Sequence, residues 1–79
     1  MTTFKVLLSS ISDVKQFVNA AIALPCDIDV VSGRYVIDAK SIMGIFSIDL
    51  SKTVEVQVHG TEEDAARFMS LVKEHIVEQ

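Results

Sequence analysis

The chain reads as an α/β open-faced sandwich of order β-α-β-β-α-β-α, with three helices on one face of a four-stranded antiparallel or mixed sheet. Three observations predict it. Apolar and polar residues alternate in residues 3–8 and 53–59, the period of a half-buried strand. Apolar residues recur at helical spacing in two other stretches: Val14, Phe17, Val18 and Ala21, then Ala65, Phe68, Met69, Val72 and Ile76. Between them, Ser32-Gly33 joins two β-prone runs through a turn that tolerates positive φ.

Residues 3–8 are the first strand, with Phe4, Val6 and Leu8 facing one way and Thr3, Lys5 and Leu7 the other. Ser9, Ser10 and Ser12 crowd the approach to Asp13, and Ser10-Ile11-Ser12-Asp13 is a capping arrangement whose hydroxyl and carboxylate satisfy the orphan amides of a new helix. That helix ends near Ala23, because Pro25 pushes its predecessor out of the α region. Cys26-Asp27-Ile28-Asp29-Val30-Val31 and Tyr35-Val36-Ile37 are the two arms of a hairpin, the second and third strands. After the segment around Ser41, Val54, Val56 and Val58 face one side of the fourth strand and Glu55 and Gln57 the other. Thr61-Glu62-Glu63-Asp64 then caps the last helix, placing negative charge at the positive end of its dipole.

Composition limits function. With 79 residues, 49% of them hydrophobic, residues 1–79 are expected to close one modest core as a single domain, which leaves no room for an elaborate active site. A net charge of −4 with only 7 Lys and Arg argues against a nucleic-acid groove, which needs a basic face to neutralise phosphates, and favours protein partners. One cysteine cannot form an intramolecular disulfide, and the sequence has neither a signal-like apolar core nor a run long enough to span a bilayer. A cytoplasmic protein without membrane contact is expected. No carboxylate pair, metal-ligand spacing or glycine-rich phosphate loop is present, so no catalytic residue, metal or cofactor is expected.

The organising stretch is Lys40-Ser41-Ile42-Met43-Gly44-Ile45-Phe46-Ser47-Ile48-Asp49-Leu50. It opens on a serine able to cap a helix and then stays apolar at nearly every position for about two turns, more than one buried face requires. Two readings stand. Ile42, Met43 and Phe46 form an exposed contact patch beside the Ser41 hydroxyl, or all are core and Ser41 is only a cap. Asp38-Ala39-Lys40-Ser41-Ile42-Met43-Gly44 resembles the regulatory-serine segment of HPr, the histidine-containing phosphocarrier family of the bacterial sugar phosphotransferase system, particularly its Gram-positive members. Phe4-Lys5-Val6 is similar to that family's first strand, Ser32-Gly33-Arg34 to its hairpin turn, and His59-Gly60-Thr61-Glu62 to the start of its last helix.

The resemblance implies the open-faced sandwich derived above, and it implies a chemistry whose centre is missing here. In the family a histidine at the amino end of the first helix takes a phosphoryl group within a Gly-(Leu/Ile)-His-Ala-Arg-Pro pattern. Counting back from Ser41 without gaps puts that histidine at Ser10, the arginine at Ser12 and the proline at Asp13, after a shorter link from the first strand. A phosphoserine is a stable ester and cannot pass its phosphate onward as a phosphohistidine does. Asp13 repels an incoming phosphate where arginine attracts it. His59, at the end of the fourth strand, is expected roughly 15–20 Å from that end of the molecule. His75 is expected to sit at the carbonyl end of the last helix, where a cation is favoured. Cys26 is expected to be a packing residue.

The reading that follows is an HPr-like regulatory or docking protein without the phosphocarrier histidine, similar in this to the histidine-lacking HPr paralogue of catabolite repression. Ser41 is then the candidate phosphoacceptor, with Lys40 as a nearby positive charge, and Ile42, Met43 and Phe46 are the partner patch. The implied partners are an HPr-kinase-like enzyme, phosphotransferase components or a transcription regulator. The alternative is a small-molecule-binding regulatory module that uses the open sheet face and has left sugar transport.

Overall fold

A computed structural model describes residues 1–77 of the chain. Strands β1 (Thr2–Val6), β2 (Ile28–Ser32), β3 (Tyr35–Asp38) and β4 (Val54–Val58) form one sheet of spatial order β1-β4-β2-β3, and every neighbouring pair is antiparallel. Helices α1 (Ile11–Ile22), α2 (Ile42–Phe46) and α3 (Glu62–Leu71) cover one face, leaving the other open. The chain order is therefore the expected β-α-β-β-α-β-α, with a 3-10 turn at Lys73–His75 added after α3.

Alternation decides which sheet face is dry. Val54, Val56 and Val58 of β4, Phe4 and Val6 of β1, and Ile28 and Val30 of β2 point under the helices and are buried. The open face carries Thr3, Lys5, Asp29, Glu55 and Gln57 at the intervening positions. Phe17 of α1 meets Phe68 of α3 edge-on at 5.4 Å between ring centroids, and Phe4 approaches the same ring at 6.1 Å. Rings from β1, α1 and α3 thus share one core, the geometry that aromatic quadrupoles prefer. Gly33, at φ +60°, makes the β2–β3 turn without the strain a side chain would meet there.

The ends of several elements differ from the sequence expectation. β1 stops at Val6, because β4 begins at its partner Val54 and the backbone beyond is used elsewhere: Leu7 N–H donates to the His75 carbonyl at 2.9 Å. Leu8 is buried as a plug rather than as a strand residue. Within the long apolar stretch after Ser41 the expected short helix forms as the five-residue α2. Ser47 caps α2, and an Asx turn in which Asp49 accepts from Ser51 N–H at 2.9 Å turns the chain toward β4. Ile76, which falls on the helical stripe of α3 by spacing, is instead extended. It bridges to Val6, and Val77 N–H donates to the Lys5 carbonyl at 2.9 Å, so the segment after α3 covers the outer edge of β1. Among the described residues no helix is long and apolar enough to cross a membrane.

Candidate functional site

The candidate residues fall at two loci, the amino end of α1 and the short helix α2. At the first, Ser10 is the N-cap: its backbone is extended and its Oγ accepts from the Asp13 N–H at 3.0 Å. The Asp13 carboxylate reaches back past Ser10 to Ser9, where Oδ2 accepts from both the backbone N–H and the hydroxyl at 3.1 Å. The Ser9 backbone bond is the main reason the Asp13 carboxyl is held below the usual carboxylate range, with the serine hydroxyls and the nearby His75 ring adding to it.

His75 arrives at this same place. Its ring is buried, with Nε2 3.2 Å from Gln16 Oε1 and Nδ1 3.9 Å from Asp13 Oδ1. The helix-dipole expectation for His75 is therefore replaced by a packing one, since the residue lies in the 3-10 turn and bridges to α1. Topology explains the arrival: α3 starts beside the first residue of β1 and runs back toward its last, next to which α1 begins. The locus joins Ser9, Ser10, Asp13, Gln16 and His75, yet its one imidazole is enclosed and faces a carboxylate. That arrangement repels an incoming phosphoryl group.

At the second locus Ser41 is exposed, and its Oγ accepts from the Gly44 N–H at 3.1 Å while its own N–H donates to the Asp38 carbonyl at 3.0 Å. Ile45 is wholly buried and pins α2 to the body of the protein, with Ile42 half-buried beside it. Met43 is 77% exposed and Phe46 40% exposed, so these two side chains lie outside the core. Gly44 lets the helix lie against β3: a Cβ there would stand 2.7 Å from Ile37 Cγ2. Lys40 is not free to steady a group on Ser41. Its Nζ donates to the Leu24 carbonyl at 3.1 Å, just beyond the carbonyl end of α1, where a cation complements the dipole.

His59 lies at the other end of β1 from the first locus, following Val58, the partner of the first β1 residue. Its Nε2 is 2.9 Å from Asp29 Oδ2, and with Asp27 and Asp38 it lines an open concavity of about 510 Å³ on the bare sheet face. A second concavity, about 570 Å³, lies at the hairpin end between Arg34, Tyr35, Asp49 and Lys52. Among the described residues no group of three or more His, Cys, Asp or Glu side chains is arranged to hold a metal ion. Cys26 is a free, half-buried thiol packed against the core.

Comparison with known proteins bears on these loci. The family model described as "PTS HPr component phosphorylation site" matches residues 13–78. The match starts at Asp13, so Ser9 to Ser12 lie outside it. Among solved structures, the chain is similar to HPr-C-His from Thermoanaerobacter tengcongensis, with a TM-score of 0.76 and 24% identity over 94% of this chain and 93% of that one. It is also similar to the phosphocarrier protein HPr from Bacillus anthracis str. Ames, with a TM-score of 0.71 and 22% identity over 94% and 95% of the two chains. No curated protein sequence matches.

Proposed function

Because the chain belongs to the HPr family of phosphotransferase-system phosphocarriers, we propose that it works by docking to protein partners through α2 and has given up phosphate transfer at α1. The observation that supports this is the construction of the two loci. At the position that gapless counting from Ser41 assigns to the family's phosphohistidine stands Ser10, engaged as a cap beside Asp13. At α2, a buried Ile45 anchors a helix that holds Met43 and Phe46 outward next to an exposed serine hydroxyl.

In this reading Ser41 is the phosphoacceptor for an HPr-kinase-like enzyme, and Ile42, Met43 and Phe46 form the surface that phosphotransferase components or a transcription regulator contacts. Phosphorylation places nearly two negative charges beside that apolar surface. An apolar or acidic partner is then discouraged and one that presents arginine is recruited. Lys40, held by Leu24, takes no part, so the arginine comes from the partner. The test is incubation with an HPr kinase and ATP followed by mass spectrometry. The expected result is one phosphate on Ser41. An unlabelled chain, or one labelled with equal efficiency after Ser41→Ala, would end this reading.

A further inference from the structure

The two edges of the sheet are treated differently. The outer edge of β1 is covered by the segment after α3, through the Leu7, His75, Lys5 and Val77 backbone bonds and the Val6–Ile76 bridge. The outer edge of β3 has no such cover among the described residues, although its Tyr35 and Val36 are 66% and 64% exposed. An uncovered apolar edge is a template for another strand.

Which backbone groups of β3 point outward follows from the hairpin register. Ala39 N–H donates to the Ile28 carbonyl at 2.8 Å, so residue 39 faces β2. Alternation makes 37 and 35 face β2 as well, opposite Val30 and Ser32. The groups of Arg34, Val36 and Asp38 therefore face away from the sheet. The Asp38 carbonyl is already engaged by Ser41 N–H, which leaves Val36 N–H, Val36 carbonyl and Asp38 N–H as the free edge.

We propose that β3 is a self-association edge, at which two copies of the chain pair antiparallel about a two-fold axis through Val36. Charge complementarity selects this occupant and this register. Outward residues must oppose outward residues for the ladder to form, which puts the axis on one of the four residues of β3, and at Asp38 it would set two carboxylates against each other. An axis at Ile37 sets Asp38 across from Val36 and carries Arg34 past the end of the second copy's strand, so neither charge meets its opposite. An axis at Tyr35 sets Arg34 across from Val36 and leaves Asp38 without a cation. An axis at Val36 sets Arg34 across from Asp38 twice, once on each side, and Val36 against Val36 on the open face. On the helix-bearing face it sets Tyr35 against Ile37, again twice, so the exposed apolar residues of this edge are both covered. The two sheets then run on as one of eight strands. This inference rests on β3 alone and stands or falls apart from the Ser41 reading.

Sedimentation equilibrium of the full chain over a wide concentration range, combined with amide hydrogen exchange, tests it. The mass is expected to rise from 8.7 kDa toward twice that value, with Val36 N–H exchange slowing in step. Arg34→Asp and Asp38→Arg are each expected to weaken the dimer by about tenfold or more, and the double reversal Arg34→Asp with Asp38→Arg to restore it. Circular dichroism melting establishes that each variant is folded. A chain that stays at 8.7 kDa when concentrated overturns the proposal. So does a dimer whose Val36 amide exchanges as fast as the monomer's, a result obtained on the wild type without any variant. A dimer untouched by the single reversals is assembled through another surface and overturns it as well.

Discussion

Ser41 holds a structural and a proposed regulatory role in one hydroxyl, and two substitutions separate them. Alanine removes the acceptor for Gly44 N–H and is expected to lower unfolding free energy by about 1 kcal/mol, while aspartate keeps an acceptor there and is expected to cost little. In denaturant titrations the two variants should differ by that amount. In binding assays only aspartate should alter partner affinity, and unchanged affinity for every detectable partner would reduce Ser41 to a cap. Gly44→Ala is a sharper structural probe. Its Cβ would meet the stiff, β-branched Ile37 at 2.7 Å, so a loss of ~1–3 kcal/mol is expected from the same titration. The cap was legible in the sequence because a serine before an apolar run is a local signal. The engagement of Lys40 by Leu24 was not, since it joins residues 16 positions apart through the packing of α2 on α1.

At the scale of the element, α2 separates anchoring from display. Ile45 is fully buried, and its truncation to alanine is expected to cost ~2–5 kcal/mol. Met43→Asp changes a side chain that is 77% exposed and is expected to leave stability within ~0.5 kcal/mol while abolishing an apolar contact with a partner. Phe46→Ala, at 40% exposed, should fall between the two in stability and near Met43→Asp in binding. Urea denaturation of the three variants beside a partner-binding assay decides the matter, and core-sized losses at Met43 would remove the docking surface. Why the sequence left both readings of this run open is physical. An apolar stretch of this length has no polar face to mark its outside, and the periodicity of a five-residue helix is too short to measure. The longer elements were legible from period alone. Their ends were not, because Leu7, Ile76 and Val77 are placed by hydrogen bonds between the two ends of the chain, which local pattern does not encode.

For the molecule as a whole, the decisive fact is that topology brings His75 to the tip of α1. Strand alternation and the order of elements place the start of α3 beside the start of β1, and the same reasoning sends the residues after α3 to the far end of β1. Enclosed by Gln16 and Asp13, that histidine is expected to gain no acid-labile, base-stable phosphate from the phosphoenolpyruvate-dependent enzyme that charges HPr, and phosphate on His75 at an HPr-like rate would contradict the docking reading. The tip of α1 also bears on acid stability. The Asp13 carboxyl is held below its ordinary value chiefly by the Ser9 backbone N–H, and Asp49 is lowered likewise by the Ser51 hydroxyl and backbone. Both groups bind protons more readily in the unfolded chain, so the stabilisation is complete above the unfolded value of about 4 and is lost as pH falls through the lower folded values. Unfolding midpoints in urea are therefore expected to hold steady on the neutral side of that value and to decline below it. Asp13→Asn keeps a side-chain acceptor for Ser9 N–H but does not titrate, so its midpoint should decline less steeply over the same acidic range. Parallel acid limbs for the two proteins would mean that the Ser9–Asp13 bonds contribute nothing to acid stability and that other carboxylates set it.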